Sequence, residues 1–334
     1  MSRETLESLN INLPPLPVTS VGSLPKPEDL KEARKKHREG EISREQLDDK
    51  ARETTKFWIN KQEELGVDVI VDGEQYRGDM ATYFAENLEG FEIGGLVRSY
   101  GNRYYRKPIV IDEIQWTGPI SVDWWSFAND QTDKPLKGIL TGPYTMMDWT
   151  FNEHYENRAE TARAFAQALR QEVKALIDAG CKIVQIDEPA ASVRAEEIPL
   201  LIEVMEQMTE GLDAYFVTHM CYGNFENIYP EMLDLEVQNI DLELSNSKLD
   251  MLDVFEENPF TKDLSFGSVD VHDHRIEEQD VVKERVESAL KVIPEDQLWI
   301  DPDCGLKTRT VDEAIDKLDV ITSTAEQLRS SVAA

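Results

Sequence analysis

The sequence predicts an α/β fold, a (β/α)8 TIM barrel in one domain spanning residues 1–334. Three observations predict it. Short β-rich apolar runs alternate with helical stretches eight times along the chain, the pattern of stacked strand–helix units. Most of these runs are continuous rather than alternating, which suits parallel strands buried on both faces. Polar residues follow almost every run directly, as required when the site lies at the carboxyl ends of barrel strands. An open doubly wound sheet is the alternative, but no G-x-G-x-x-G follows the first strand.

In chain order, an N-terminal tail over residues 1–16 leads to a strand, Val18–Val21, that ends in Gly22-Ser23. Ser43-Arg44-Glu45-Gln46 is a capping box opening a helix that runs to Gly66, a natural residue for a left-handed helix end. Val67–Val71 is followed by Asp72-Gly73-Glu74. Residues 90–117 hold two β-like runs around a Gly-Asn turn, which predicts a β-hairpin inserted between strands 2 and 3. Trp124-Trp125 reads as helix packing. Gly138–Leu140 is followed by Thr141-Gly142-Pro143. Ala162, Phe165, Ala166, Leu169, Val173, Leu176 and Ile177 then recur with a helical period that Gly180 ends.

Lys182–Ile186 is followed by Asp187-Glu188-Pro189, and Ala214–Val217 by His219-Met220-Cys221. Ile240–Leu244 carries Glu243 near its end, and Leu264–Val269 is followed by Asp270-Val271-His272. Leu298–Ile300 is followed by Asp301-Pro302-Asp303-Cys304-Gly305. Further helices are predicted over 194–210, 225–233, 278–292 and 311–330.

Composition excludes several classes. With 35 Lys+Arg against 66 Asp+Glu, the net charge is −31. Such a surface repels phosphate backbones and anionic lipid heads, so neither nucleic acid nor membrane is an expected partner. No apolar run approaches the length that spans a bilayer, and the N-terminus lacks the basic-then-apolar pattern of a secretory signal. Three cysteines cannot build a disulfide framework, so a reduced, cytoplasmic protein is expected. The acids are spread along the chain, mostly on outer helix faces. That reads as the solvation shell of a halophilic protein, since concentrated salt screens the self-repulsion. Stability and activity should then rise with KCl.

Two cysteines, Cys221 and Cys304, sit at strand ends, while Cys181 reads as a small buried hydrophobe. His219 and Cys221 lie two apart, so in an extended segment their side chains point the same way. With Glu243 and Cys304 they make an N, S, O, S set of metal ligands, a combination that favours Zn²⁺. Two thiolates and a carboxylate outweigh the charge of the metal and make it a poor generator of hydroxide. Such a zinc is better suited to hold a substrate thiol as thiolate, which predicts alkyl transfer to sulfur rather than hydrolysis.

These residues resemble the C-terminal catalytic barrel of the cobalamin-independent methionine synthase family. The resemblance runs over about residues 16–330. It rests on Val21-Gly22-Ser23, Asp72-Gly73-Glu74, Ser99-Tyr100-Gly101, Leu140-Thr141-Gly142-Pro143 and Gln185-Ile186-Asp187-Glu188-Pro189-Ala190. It rests equally on His219-Met220-Cys221-Tyr222, Glu243, Asp270-Val271-His272 and Pro302-Asp303-Cys304-Gly305-Leu306-Lys307-Thr308-Arg309. The family's usual long form carries a second barrel before this one, so the chain resembles its short, single-barrel, archaeal-type members.

The resemblance implies methyl transfer to homocysteine, forming methionine, with zinc on His219, Cys221, Glu243 and Cys304. It implies that Ser23 and the backbone near Val21 hold the homocysteine carboxylate. Glu74 and Asp187 would hold its ammonium; either Asp187 or its neighbour Glu188 has the chemistry, and the family match selects Asp187. His272 would donate a proton to the leaving group, assisted by Asp270. Trp149 and Arg103 would face the methyl donor, either methyltetrahydrofolate (or its polyglutamate) or a methyl-corrinoid protein. The hairpin departs from the family pattern at Asn102 and at Tyr104, where a small residue is usual. A thiol such as coenzyme M as acceptor, or a partner subunit of a split synthase, are the alternatives.

Overall fold

A computed structural model describes residues 2–98 and 104–332. In chain order its elements are α1 (Ser2–Ser8), α2 (Glu28–Arg38), α3 (Arg44–Leu65), α4 (Met80–Glu86), β1 (Glu89–Arg98), β2 (Tyr104–Gln115), α5 (Val122–Asn129), β3 (Lys137–Thr141), α6 (Pro143–Asp148) and β4 (Phe151–Asn152). There follow α7 (Arg158–Asp178), β5 (Ile183–Asp187), α8 (Ile198–Thr209), β6 (Tyr215–Met220), β7 (Asn239–Leu242), α9 (Met251–Glu257), β8 (Asp263–Val269), α10 (Gln279–Ala289), β9 (Leu298–Pro302) and α11 (Val311–Val332). This is an α/β fold built on parallel strands. The chain divides into two compact units.

The first unit comprises Met1–Tyr76, Trp124–Lys137 and Asn239–Ala334. In it β7, β8 and β9 pair in parallel, with Ile240 opposite Leu264 and Leu264 opposite Leu298. The expected strands Val18–Val21 and Val67–Val71 appear as isolated parallel bridges, Val18 to Ile300 and Thr19 to Val69. Val18, Val69, Ile240, Leu264, Phe266 and Ile300 are fully buried, which is why these runs carry no polar alternation. The Ser43 hydroxyl accepts the Gln46 N–H while the Gln46 side chain accepts the Ser43 N–H, so α3 opens on the expected capping box. Gly66 ends α3 at φ 85°, a conformation that penalises any residue with a Cβ. The N-terminal segment is more than a tail: α1 and the residues after it bury Leu6, Leu9 and Ile11.

The second unit comprises Arg77–Asp123 and Gly138–Gln238. In it β3, β5 and β6 lie in that order, with Ile183 opposite Tyr215 and Asp187 opposite His219. Helix α7 buries Phe165, Leu169, Val173 and Leu176, the residues its periodicity selects. Its start is earlier than the apolar period suggests, because the Asn157 side chain accepts the Glu160 N–H and caps it. Buried Glu172 on the same helix accepts the Trp116 indole N–H and the Ser121 hydroxyl and N–H. A charge on a buried helix face is tolerated here because it is fully hydrogen-bonded.

Residues 89–98 and 104–115 form the antiparallel pair β1–β2, with Leu96 opposite Arg106, and β4 adds in parallel to β2; the expected Gly-Asn turn lies outside the described residues. The expected helix over 225–233 is instead two 3₁₀ turns, Phe225–Asn227 and Glu231–Asp234. Pro230 lacks the N–H that a continuous helix would need there. Among the described residues, no helix is long and apolar enough to cross a membrane.

Candidate functional site

Parallel pairing sets β5 and β6 so that Asp187 and His219 end adjacent strands at the same level. His219 and Cys221 are both buried. The ligand atoms of His219, Cys221 and Cys304 all lie within 4.8 Å of one another, a group able to hold a metal ion. Their chemistry fits zinc: one imidazole, two sulfurs and little access to water. Cys181 stands apart and buried; its thiol donates to the Ile183 carbonyl, and burial pushes its pKa up to about 12. It is a core residue, as expected.

Glu243 is not one of that group. Its Oε1 accepts the Asn246 side-chain N–H at 3.0 Å and lies 3.4 Å from His272 Nε2. The Glu243 carboxylate beside it raises the His272 pKa above its ordinary value, against the burial that lowers it, and the Cys304 sulfur adds to the rise. Asp270 meets His272 through the backbone: Asp270 Oδ1 accepts the His272 N–H at 2.7 Å, and the Asp270 N–H donates to Glu277 at 2.7 Å. Buried Lys317 donates to that same Glu277 at 2.8 Å, which anchors the turn to α11.

Asp303, one residue before Cys304, is buried and was not singled out from the sequence. Its Oδ1 accepts the N–H groups of Leu244 and Ser245, and its Oδ2 accepts the Ser245 hydroxyl and the Asn246 N–H. One carboxylate thus fastens the Glu243 loop to the Cys304 segment. Burial pushes its pKa up to about 7, against these donors. Gly267 is required beside it, since a Cβ there would run into Asp303 and the Leu242 carbonyl.

At the end of the 67–71 run, Gly73 has φ 74° and Glu74 φ 56°. The Glu74 N–H donates to Asp72 at 2.8 Å, so a side-chain turn holds this non-glycine residue in the left-handed region. Such backbone strain collects at functional sites. Ser23 bridges Gly73 in parallel and is buried, and a Cβ on Gly305 would strike its hydroxyl.

Asp187 Oδ1 accepts the Gln185 side-chain N–H at 2.7 Å. Its neighbour Glu188 is fully committed elsewhere. Glu188 accepts the Tyr144 N–H at 3.0 Å, the Thr145 N–H at 2.7 Å and the Thr145 hydroxyl at 2.6 Å, at the first turn of α6. Trp149 ends α6, and its ring lies 5.8 Å from that of Tyr105, whose hydroxyl donates to the Trp149 carbonyl. Arg103 lies outside the described residues.

Residues 16–327 match the family described as "Cobalamin-independent synthase, Catalytic domain". The chain is 37% identical to a 5-methyltetrahydropteroyltriglutamate–homocysteine methyltransferase of Salinibacter ruber, a match that covers 100% of this chain and 45% of that protein. It thus spans about half the length of the first such relatives. It is also 37% identical to a methionine synthase of Saccharolobus solfataricus, over 92% of each. The solved B12-independent methionine synthase of Shewanella sp. W3-18-1, in complex with selenomethionine, superposes with TM-score 0.86 at 27% identity over 96% of this chain and 99% of that one. With the family matched over most of its length, the chain belongs to the cobalamin-independent methionine synthases, and what it carries is their catalytic domain.

Proposed function

We propose that the chain transfers a methyl group from a methyltetrahydropteroyl-polyglutamate to the sulfur of homocysteine, with Zn²⁺ as cofactor, and so forms methionine. The observation that carries this reading is the His219, Cys221 and Cys304 group in a member of this family. The donor follows the name of the Salinibacter relative, and the corrinoid alternative draws no support from these relatives.

His219, Cys221 and Cys304 are the residues that would hold zinc, with Glu243 the displaceable fourth. Zinc supplies the positive charge that keeps a bound thiol deprotonated at neutral pH. The remaining work falls to the chain. Ser23, with the backbone at Val21, binds the amino-acid carboxylate. Glu74 and Asp187 bind its ammonium, and the commitment of Glu188 to α6 supports the choice of Asp187. His272 holds the proton that the departing donor nitrogen takes up, and the Glu243 carboxylate beside it favours the protonated imidazole. Asp270 positions it by fixing the His272 backbone. Trp149 offers a ring face to the pterin, and Arg103 a cation to the donor. Turnover assays with L-homocysteine against coenzyme M, using the triglutamate donor, test the acceptor: the reading predicts methionine from the former and nothing from the latter.

A further inference from the structure

Helix α11 packs on β8 and β9 through a buried stripe in which Ala314, Leu318, Ile321 and Ala325 are fully covered. One member of that stripe is a cation. Lys317 stands three residues after Ala314 and four before Ile321, and its side chain is fully buried as well. Its ammonium donates to Glu277 Oε2 at 2.8 Å and to the Arg275 carbonyl at 2.7 Å. Glu277 Oε1 accepts the Asp270 N–H at 2.7 Å. Arg285 of α10 stands 3.6 Å from the same oxygen and donates to the Ser268 carbonyl at 2.7 Å. Asp270 Oδ1 in turn accepts the His272 N–H at 2.7 Å. Hydrogen bonds therefore run without a break from α11, through Glu277 and Asp270, to the backbone of His272. A buried ion pair of this kind adds little net stability over apolar residues of similar size. Stability thus gives no reason for a lysine where Leu or Met would complete the stripe. Both of its partners lie on one segment, 270–277, and that segment carries His272.

We propose that Lys317 and Glu277 are positioning residues for methyl transfer, fixing the 270–277 turn so that the His272 imidazole stands beside Glu243. This rests on the proton-donor role given to His272 above. The geometry that needs fixing is close: His272 Nε2 lies 3.4 Å from Glu243 Oε1. A reacting group misplaced by about 1 Å can lose on the order of a hundredfold in rate, so a turn that drifts is costly even when the fold is intact. His274 is the built-in control. It also ties the turn to α11, with Nδ1 2.7 Å from Glu313 Oε1, but its side chain is 70% exposed. An exposed pair is a weak tether, whereas the Lys317 contacts are shielded from water.

The test measures kcat and the KM for homocysteine in the zinc-loaded chain. Lys317→Met should lower kcat about tenfold or more, with KM within about twofold of the parent and zinc content unchanged. His274→Gln should keep kcat within about twofold. In a His272→Gln background, Lys317→Met should cost less than about twofold, because its effect passes through an imidazole that is no longer there. Should Lys317→Met not fold, Glu277→Gln takes its place. The amide keeps one acceptor oxygen and loses the charge, and the same dependence on His272 is expected. A smaller loss of kcat in Lys317→Met overturns the proposal. So does a KM that rises in step, a loss that persists without His272, or as large a loss in His274→Gln. If the parent forms no methionine, the functional reading fails, and hydrogen exchange decides the positioning. Selective loss of protection at the Asp270 and His272 amides in Lys317→Met upholds it, and parental protection there overturns it.

Discussion

Replacing Asp303 by Asn tests whether one buried carboxylate holds the Glu243 loop. Asp303 accepts four hydrogen bonds, two on each oxygen, from Leu244, Ser245 and Asn246. Asn keeps one acceptor oxygen and turns an NH₂ group toward the other two donors, so two bonds to a charged acceptor are lost. Each is worth about 1.5–3 kcal/mol. The ionised carboxyl also pays for its burial, as its elevated pKa shows, and the neutral amide does not. The two oppose each other, about 3–6 kcal/mol lost against about 4 kcal/mol relieved near neutral pH, so global stability changes by no more than about 2 kcal/mol and the loop itself carries the test. Urea unfolding with a chelator present, so that metal does not enter, reads the stability. Hydrogen exchange reads the loop, where the amides of Leu244, Ser245 and Asn246 should lose protection before the rest of the unit. A variant whose Leu244, Ser245 and Asn246 amides stay as protected as in the parent would refute the reasoning.

Three further outcomes follow from the same contacts. Cys221→Ser and Cys304→Ser should lose bound zinc, as read by metal analysis of purified protein, while Cys181→Ser should keep it, since its thiol only meets the Ile183 carbonyl. Gly305→Ala places a Cβ against the Ser23 hydroxyl, the end of a side chain that can rotate away. The expected result is a KM for homocysteine raised about tenfold with stability lowered by less than about 1 kcal/mol, as read by steady-state kinetics and urea unfolding. Burial pushes the Glu188 carboxyl up from 4.5 to about 7, so between those values the folded chain binds more protons than the unfolded one. Stability should therefore fall as pH rises from 5 to 7, by up to about 3 kcal/mol, and urea midpoints of Glu188→Gln should show a flatter dependence.

Much of this was legible in the sequence because burial on both faces writes itself as continuous apolar runs. The runs at 182–186, 264–269 and 298–300 became β5, β8 and β9 within a few residues. Ser43, Gln46 and Gly66 bounded α3 because capping is local chemistry. What failed depended on context. The runs at 18–21 and 67–71 make bridges to neighbours rather than full ladders. The 225–233 stretch has helical apolar spacing, but Pro230 divides it. In the candidate site, His219, Cys221 and Cys304 were readable from residue type and spacing. Asp303 and Asn246 were not, since an Asp beside a Cys or an Asn three residues after a Glu has many innocent readings. Only the folded loop shows the first gripping three residues and the second holding Glu243. The choice between Asp187 and Glu188 likewise waited on α6, whose first turn takes up Glu188.

The central claim is that this chain makes methionine at a zinc held by His219, Cys221 and Cys304. The most direct measurement takes metal content and methionine formation on the same purified sample, with L-homocysteine and the methyltetrahydropteroyltriglutamate donor. The account predicts about one zinc per chain, with activity that disappears on chelation and returns when zinc is restored. Methionine formed at full rate by the metal-free chain would contradict it, as would a zinc-loaded chain that forms none.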